Sequence, residues 1–215
     1  MAPTAKVYVV DDDPAVGDSL RFLLKSVGLE AEVFASAEQF LAHYDPERSG
    51  CLVLDVRMPG MSGLELQEEL QRRGWILPIV ILTAHGDVPA VARAFKNGAS
   101  EVLQKPCSDQ ELLDAVNKAL RHDQKSRQER TRLQAIASRL ETLSRRELEV
   151  LRLIVAGLSS REIAQRLRIQ SKTVESHRMK IMHKLQAKNV ADLVRQVTEL
   201  AHSPWFAQWR SLLTE

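Results

Sequence analysis

Over its first 120 residues the chain alternates short apolar runs with longer amphipathic stretches, and that alternation predicts an architecture. Lys6–Val10 reads as a strand. After Asp11-Asp12-Asp13-Pro14 an amphipathic helix runs to about Val27, with Asp13 placed to cap it and Pro14 in its first turn. Glu30–Phe34 alternates as a second strand should, and Ser36 with Gln39 opens a helix to about Tyr44 in a capping-box pattern. The run Cys51-Leu52-Val53-Leu54 signals a buried strand ending in Asp55. A loop carrying Pro59, Gly60 and Gly63 follows, and Ser62 with Glu65 heads a helix to about Arg73. Residues 79–82 make a fourth strand, and a helix from about Asp87 to Asn97 stops at Gly98. Residues 101–103 make a short fifth strand ahead of a helix from Ser108 to about Leu120. Repeated β–α units of this kind argue for a parallel sheet covered on both faces by helices.

The pattern then changes. Residues 121–132 hold no strongly apolar side chain, so they are expected to form an exposed helical linker that buries no face. Leu133, Ile136, Leu140 and Leu143 recur at helical spacing; the stripe suits a neighbouring domain or a second chain, with packing inside its own domain the simpler reading. Four short helices follow. Ser144 with Glu147 caps the first, Ser159 with Glu162 the second, Ser171 the third and Asn189 with Asp192 the fourth. A short helix, the turn Arg168-Ile169-Gln170 and a longer helix form a helix-turn-helix, whose second member commonly enters the major groove of DNA. On that longer helix Val174, Ile181 and Leu185 share an inward stripe. Lys172, Thr173, Glu175, Ser176, Arg178 and Lys180 offer phosphate and base-edge contacts. His177 joins these candidates without an acid–base role. The expected division is residues 1–121, a linker over 122–140, an all-α domain over 141–200 and an amphipathic extension over 201–215, where Trp205 and Trp209 should pack on the protein.

Composition changes this picture in one respect. The net charge of +2 hides a split: residues 1–120 carry 11 basic and 18 acidic side chains, and residues 121–215 carry 19 and 10. An acidic half that needs cations is thus joined to a basic half suited to polyanions. Elsewhere composition mainly excludes. Cys51 and Cys107 have no metal-ligand spacing and are expected as free thiols. The histidines form no HExxH pair, and no Gly-rich phosphate loop is present, which argues against metal hydrolases and nucleotide-binding enzymes. With no export signal or membrane-spanning run, a cytoplasmic protein without membrane contact is expected.

The chemistry gathers at one edge of the predicted sheet. Asp11 and Asp12 follow the first strand, Asp55 ends the third, Thr83 follows the fourth and Lys105 the fifth, so all lie where ligands collect in open α/β sheets. Each alone reads as a helix cap or a surface charge. Together the carboxylates would repel one another unless a hard cation such as Mg²⁺ joined them. A hydroxyl and an ammonium beside them suit a tetrahedral dianion.

These residues carry a resemblance. The runs Val7-Tyr8-Val9-Val10-Asp11-Asp12-Asp13 and Leu54-Asp55-Val56-Arg57-Met58-Pro59-Gly60, with Thr83-Ala84 and Lys105-Pro106, resemble the receiver domain of two-component response regulators. The resemblance implies a flavodoxin-like (βα)5 fold and phosphorylation of Asp55 by a sensor histidine kinase. It also implies Mg²⁺ held by Asp12, Asp55 and the carbonyl of Arg57 with help from Asp11, and Thr83 and Lys105 contacting the phosphoryl group. The Lys105-Pro106 bond is expected to be cis. Two departures stand out: Val102 occupies the switch position where the family usually has an aromatic, and Cys107 replaces the aromatic often found after Lys-Pro.

Ser144-Arg145-Arg146-Glu147, Gly157-Leu158-Ser159-Ser160-Arg161-Glu162 and Lys172-Thr173-Val174-Glu175-Ser176-His177-Arg178 resemble the LuxR-type helix-turn-helix. The whole is similar to the FixJ/NarL class of response regulators, and closest in its motifs to FixJ. That class implies a regulator rather than an enzyme, binding double-stranded promoter DNA, working with RNA polymerase and dimerising on activation. Two rivals fare worse. A phosphate-ester hydrolase with an Asp nucleophile would need an acid two positions on, where Arg57 stands, and an RNA-binding output would not need a helix-turn-helix.

Overall fold

The computed structural model describes residues 5–84 and 88–212, and the chain divides between Arg127 and Gln128 into two compact units. The helix start expected at Asp87 and the end of the extension at Leu213 lie outside the described residues.

In the first unit the β–α alternation becomes β1 (Lys6–Val10), α1 (Pro14–Ser26), β2 (Glu30–Phe34), α2 (Ala37–His43), β3 (Gly50–Asp55), α3 (Gly63–Arg72), β4 (Ile79–Thr83), α4 (Val88–Lys96) and β5 (Glu101–Gln104). The strands pair in parallel in the order β2-β1-β3-β4-β5. Strand order therefore reverses between β1 and β3, and the crevice beyond their carboxyl ends is where such sheets place a ligand. Alternate residues of each strand feed different cores. Tyr8, Val10, Leu52, Leu54, Ile79 and Ile81 pack with Phe40, Leu66 and Ala94, whereas Val7, Val9, Cys51, Val53, Val80 and Leu82 pack with Leu24, Leu112 and Val116. Cys51 and Cys107 are free, and burial pushes the Cys51 thiol up to about 12.

Helix starts follow the capping signals closely. Asp13 accepts from the Ala15 N–H, and Ser62 with Glu65 forms a reciprocal capping box, as do Ser144 with Glu147 and Ser159 with Glu162. Ser36 accepts from the Gln39 N–H, but the Gln39 side chain returns to the Ala35 N–H instead of completing the box. Gly98, at φ 76°, ends α4 as expected.

Past Lys105-Pro106, which is cis, the structure departs from the expected linker. The helix α5 runs from Asp109 to Leu140 as one element. Residues 121–132 were expected to bury nothing, yet Asp123 is 1% exposed. Its burial is polar, satisfied by hydrogen bonds, so it leaves no apolar periodicity to read.

The second unit begins at Gln128 and contains α6 (Arg145–Val155), α7 (Ser160–Leu167), α8 (Ser171–Leu185), α9 (Val190–His202) and a 3-10 helix (Pro204–Leu212). Leu133, Ile136, Leu140 and Leu143 are all buried in this unit's own core with Leu151, Ile163, Ile181, Leu193 and Leu200. The core thus starts well before residue 141. Phe206 and Leu212 are buried in it as well, with Trp205 and Trp209 packed against it, so the extension completes this core. One cap differs from expectation. Gln170, in extended conformation, is the N-cap of α8, and its carbonyl accepts from Thr173 and Val174; Ser171 lies inside the first turn and cannot cap it.

Candidate functional site: an acidic sheet edge and a helix-turn-helix

The strand register assembles the first site. Val10 lies beside Leu54 and Asp55 beside Leu82, so the residues that end β1 and β3 are brought side by side, with Thr83 at the end of β4. Asp11 is 3% exposed, Asp55 8% and Thr83 3%, unusual values for such polar side chains. Lys105, following β5, reaches across to both carboxylates: its ammonium donates to Asp11 Oδ2 at 2.8 Å and to Asp55 Oδ1. The other carboxylate oxygens are held by the backbone, Asp11 Oδ1 by the Asp13 N–H at 3.0 Å and Asp55 Oδ2 by the Arg57 N–H at 2.6 Å. Burial alone would drive the Lys105 pKa down, but its bonds to Asp11 and Asp55 outweigh that and hold it above the ordinary lysine value. Among the described residues the Thr83 hydroxyl makes only a long 3.5 Å bond to the Ala84 carbonyl, which leaves it available to a stronger partner.

The loop after β3 is tightly fixed. A Cβ on Gly63 would stand 2.1 Å from the Asp55 carbonyl oxygen, so the start of α3 can approach Asp55 this closely only with glycine. Gly60 has φ 75°, and the Met61 N–H bonds to Glu38 Oε1 at 3.1 Å, which ties the loop to α2.

Two buried carboxylates facing one ammonium leave a residual negative charge, and the exposed Asp12 adds to it. Among the described residues no group of three or more His, Cys, Asp or Glu side chains closes into a metal cage. The donor set still fits Mg²⁺, which keeps much of its water shell and needs only one or two carboxylates beside a phosphate. Val102, paired with Ile81 in the sheet, is half-buried against the core that includes Ala90 and Ala94.

In the second unit α7 and α8 form the helix-turn-helix around Arg168, whose φ of 54° turns the chain between them. Val174, Ile181 and Leu185 are fully buried, as expected of the inward stripe. Lys172, Thr173, Glu175, Ser176 and Lys180 are exposed on the opposite side. His177 and Arg178 lie at its margin: both are half-buried, Arg178 pairs with Glu175 at 4.0 Å, and among the described residues His177 Nδ1 is buried without a partner. Met179 was not singled out in the sequence, yet it is 69% exposed and lies three residues from Ser176 and seven from Lys172, in the middle of the polar face. That helical spacing was the available signal.

The fold and site define a class, an α/β unit with a buried acidic cluster and a lysine at its sheet edge, joined to a helical unit with a helix-turn-helix, and comparison with known proteins supplies the family. Residues 7–117 match the response regulator receiver domain, and residues 141–197 match the luxR family of bacterial regulatory proteins. The transcriptional regulatory protein TdiR of Thauera aromatica is 48% identical over 191 residues, covering 89% of this chain and 84% of that protein. Transcriptional regulatory protein FixJ of Azorhizobium caulinodans is 43% identical, covering 91% and 92%. The solved structure of response regulator StyR superposes with a TM-score of 0.80 at 46% identity, covering 91% of this chain and 99% of that one. The chain belongs to the two-component response regulators of the FixJ/NarL type, with a receiver domain and a LuxR-type DNA-binding domain.

Proposed function

We propose that a sensor histidine kinase phosphorylates Asp55 and that the phosphorylated protein dimerises and binds specific promoter DNA to regulate transcription with RNA polymerase in the cytoplasm. The observation that carries this reading is the Lys105 ammonium joined to both Asp11 and Asp55 at the carboxyl edge of the sheet, in a chain that also carries a helix-turn-helix. In the transfer a carboxylate oxygen of Asp55 forms the new bond to phosphorus as the phosphorus–nitrogen bond to the kinase histidine breaks. Asp11, Asp12, Asp55 and the Arg57 carbonyl would hold Mg²⁺, which when bound neutralises charge on the phosphoryl oxygens. Lys105, held near Asp55, is placed to pair with the new anionic oxygens, and the Thr83 hydroxyl to donate to them. Among the described residues no helix is long and apolar enough to cross a membrane, in keeping with a regulator acting on DNA. The test is a titration of duplex DNA, selected from a random pool, with and without a small acyl phosphate and Mg²⁺. Tighter binding with phosphodonor is expected, and equal affinity in both arms rejects the proposal.

Two further outcomes follow from residue placement. Lys172→Ala should weaken binding to all sequences alike and lower the salt slope by about one unit, the signature of one lost phosphate contact. Met179→Ala and Glu175→Gln should change base preference with the salt slope intact, since an apolar side chain reads a thymine methyl and a Glu accepts from cytosine N4. Binding-site selection with each variant checks this; a changed slope for Met179→Ala would move it to a non-reading role.

Val102 is β-branched and restricted in its rotamers, so it cannot fill and vacate the volume an aromatic switch would. Less differential contact means a smaller shift between states on phosphorylation. The unphosphorylated protein is therefore expected to populate the dimer-competent state measurably, and Val102→Phe to change the ratio of dimer affinities with and without phosphodonor in sedimentation. An unphosphorylated protein that stays strictly monomeric, with a ratio unmoved by Val102→Phe, shows that this position is not the lever.

A further inference from the structure

Between Leu120 and Gln128 the helix α5 carries Arg121, His122, Asp123, Gln124, Lys125, Ser126 and Arg127, with no apolar side chain to hold it to the receiver. Asp123 is the one buried residue of this stretch. Its Oδ2 accepts from Ser49 Oγ at 2.6 Å and from the Gly50 N–H at 3.0 Å, and Arg127 Nε bonds both carboxylate oxygens at 3.0 Å. The rest of the Arg127 guanidinium closes over the loop before β3, donating to the carbonyls of Pro46 at 2.9 Å, Glu47 at 3.0 Å and Arg48 at 2.5 Å. A buried carboxylate is thus fully satisfied, and a planar fork is used at every edge, which a lysine could not reproduce.

The anchor of this arrangement is rigid. Gly50 is the first residue of β3 and Asp55 the last, and the whole strand is buried. The Ser49 carbonyl accepts from the Lys6 N–H, and a Cβ on Gly50 would stand 2.1 Å from the Lys6 carbonyl oxygen, so this point is also fixed to β1.

We propose that Asp123 and Arg127 form a charged clasp that makes α5 up to Arg127 move with the phosphoacceptor strand, and that this clasp positions the connection through which phosphorylation controls DNA binding. The second clause rests on the function proposed above. Were residues 121–127 held by apolar packing, the connection would survive loss of any one group. Here attachment hangs on two charged side chains, so removing either should free the segment while leaving the acidic site at the other end of β3 intact.

The experiment uses the full-length protein and three variants, Asp123→Ala, Arg127→Gln and Arg127→Lys, the Arg127 substitutions retained in case a buried deletion misfolds. Three quantities are read: phosphoryl incorporation by intact mass with an acyl phosphate and Mg²⁺, hydrogen exchange of the amides of residues 121–127, and the ratio of affinities for an in vitro selected duplex with and without phosphodonor. Phosphoryl incorporation and unphosphorylated DNA affinity are expected to stay within about twofold of wild type. Exchange over 121–127 should rise about tenfold or more, and a wild-type affinity ratio of about fivefold or more should fall toward one. Arg127→Lys, which keeps the charge and loses the fork, should behave like Arg127→Gln. Variants that keep the wild-type ratio overturn the coupling role, and variants that lose phosphoryl incorporation show a structural support of the acidic site instead. A wild-type protein whose DNA affinity ignores phosphodonor rejects the proposed function and with it the coupling role, while the exchange data still decide whether the clasp holds the helix.

Discussion

Asp55→Asn abolishes phosphoryl incorporation: intact mass with an acyl phosphate and Mg²⁺ should show one added phosphoryl group on the wild-type protein and none on the variant. The three acidic candidates are not equivalent. Asp12 is exposed, and Asp11, although buried, follows β1 with its oxygens held by the Asp13 N–H and Lys105. Asp55 ends β3, the strand between β1 and β4, so it alone has Asp11 on one side and Thr83 on the other. Asparagine keeps the shape and can still accept from the Arg57 N–H, but it lacks the nucleophilic oxygen. It also removes one of two neighbouring carboxylates, so the thermal midpoint should hold or rise while labelling disappears. Lys105→Ala tests the electrostatic half of the site: Asp55 remains, but charge developing on the phosphoryl oxygens loses its ammonium. Labelling should slow about 10²-fold or more, in the range of losing one preorganised electrostatic partner. Full labelling of Asp55→Asn would move the acceptor to Asp11 or Asp12.

Much of this geometry could be read in the sequence because it depends on strand ends. A parallel sheet puts the carboxyl ends of its strands on one edge, so locating β1, β3, β4 and β5 in the sequence is enough to bring Asp11, Asp55, Thr83 and Lys105 into one neighbourhood. Capping boxes were equally legible, since Ser62 with Glu65 is a local pattern with local consequences. The same reasoning failed where structure rests on buried polarity. Asp123 and Arg127 sit in a stretch without an apolar stripe, and only the partners at residues 46–50, far away in sequence, reveal that the stretch is docked. Met179 is hidden from sequence patterns for the opposite reason. A lone apolar residue on a charged helix face adds nothing to a periodicity count, and its meaning comes from 69% exposure beside Lys172 and Ser176. Ser171 shows a third limit: a good capping residue one position late is only part of the helix.

The acidic site and the helix-turn-helix face are built from single-residue placements on regular elements, which pattern finds. The coupling of phosphorylation to DNA binding proposed above would instead run through segments held by an Arg–carboxylate fork and by capped carboxylates, whose partners lie far apart in the chain. Glu147 is an instance within the second unit, where a group that looks like an ordinary capping residue also fixes α8 through Lys184.

Glu147→Ala should destabilise the second unit by about 2 kcal/mol, the scale of losing a hydrogen bond to a charged group together with a helix cap, since the Lys184 side chain is partly open to solvent. The side chain is 4% exposed; one oxygen accepts from the Ser144 N–H at 2.8 Å and from Lys184 Nζ at 2.7 Å, and Lys184 also donates to the Thr142 carbonyl. One carboxylate therefore closes the start of α6 and pins the last turn of α8. For a unit of this size such a loss lowers the melting midpoint by roughly 8–16 °C. DNA binding should fail at correspondingly lower temperature while Asp55 in the other unit is still phosphorylated. The pH dependence has a definite sign. Burial alone would raise the Glu147 pKa, but the Lys184 ammonium and the Ser144 hydrogen bonds outweigh it and bring it down to about 2. The group binds its proton more weakly folded than unfolded, so its contribution is complete above the ordinary glutamate value of 4.5 and is lost as pH falls toward 2. Wild type should thus lose stability in the second unit across that window, and Glu147→Gln should flatten this part of the profile while lowering stability at neutral pH. Calorimetry of both proteins between neutral pH and pH 2 distinguishes the cases: a variant with wild-type stability at neutral pH, or with an unchanged acid slope, would mean that Lys184 and Ser144 are satisfied by solvent and that Glu147 does not hold α6 to α8.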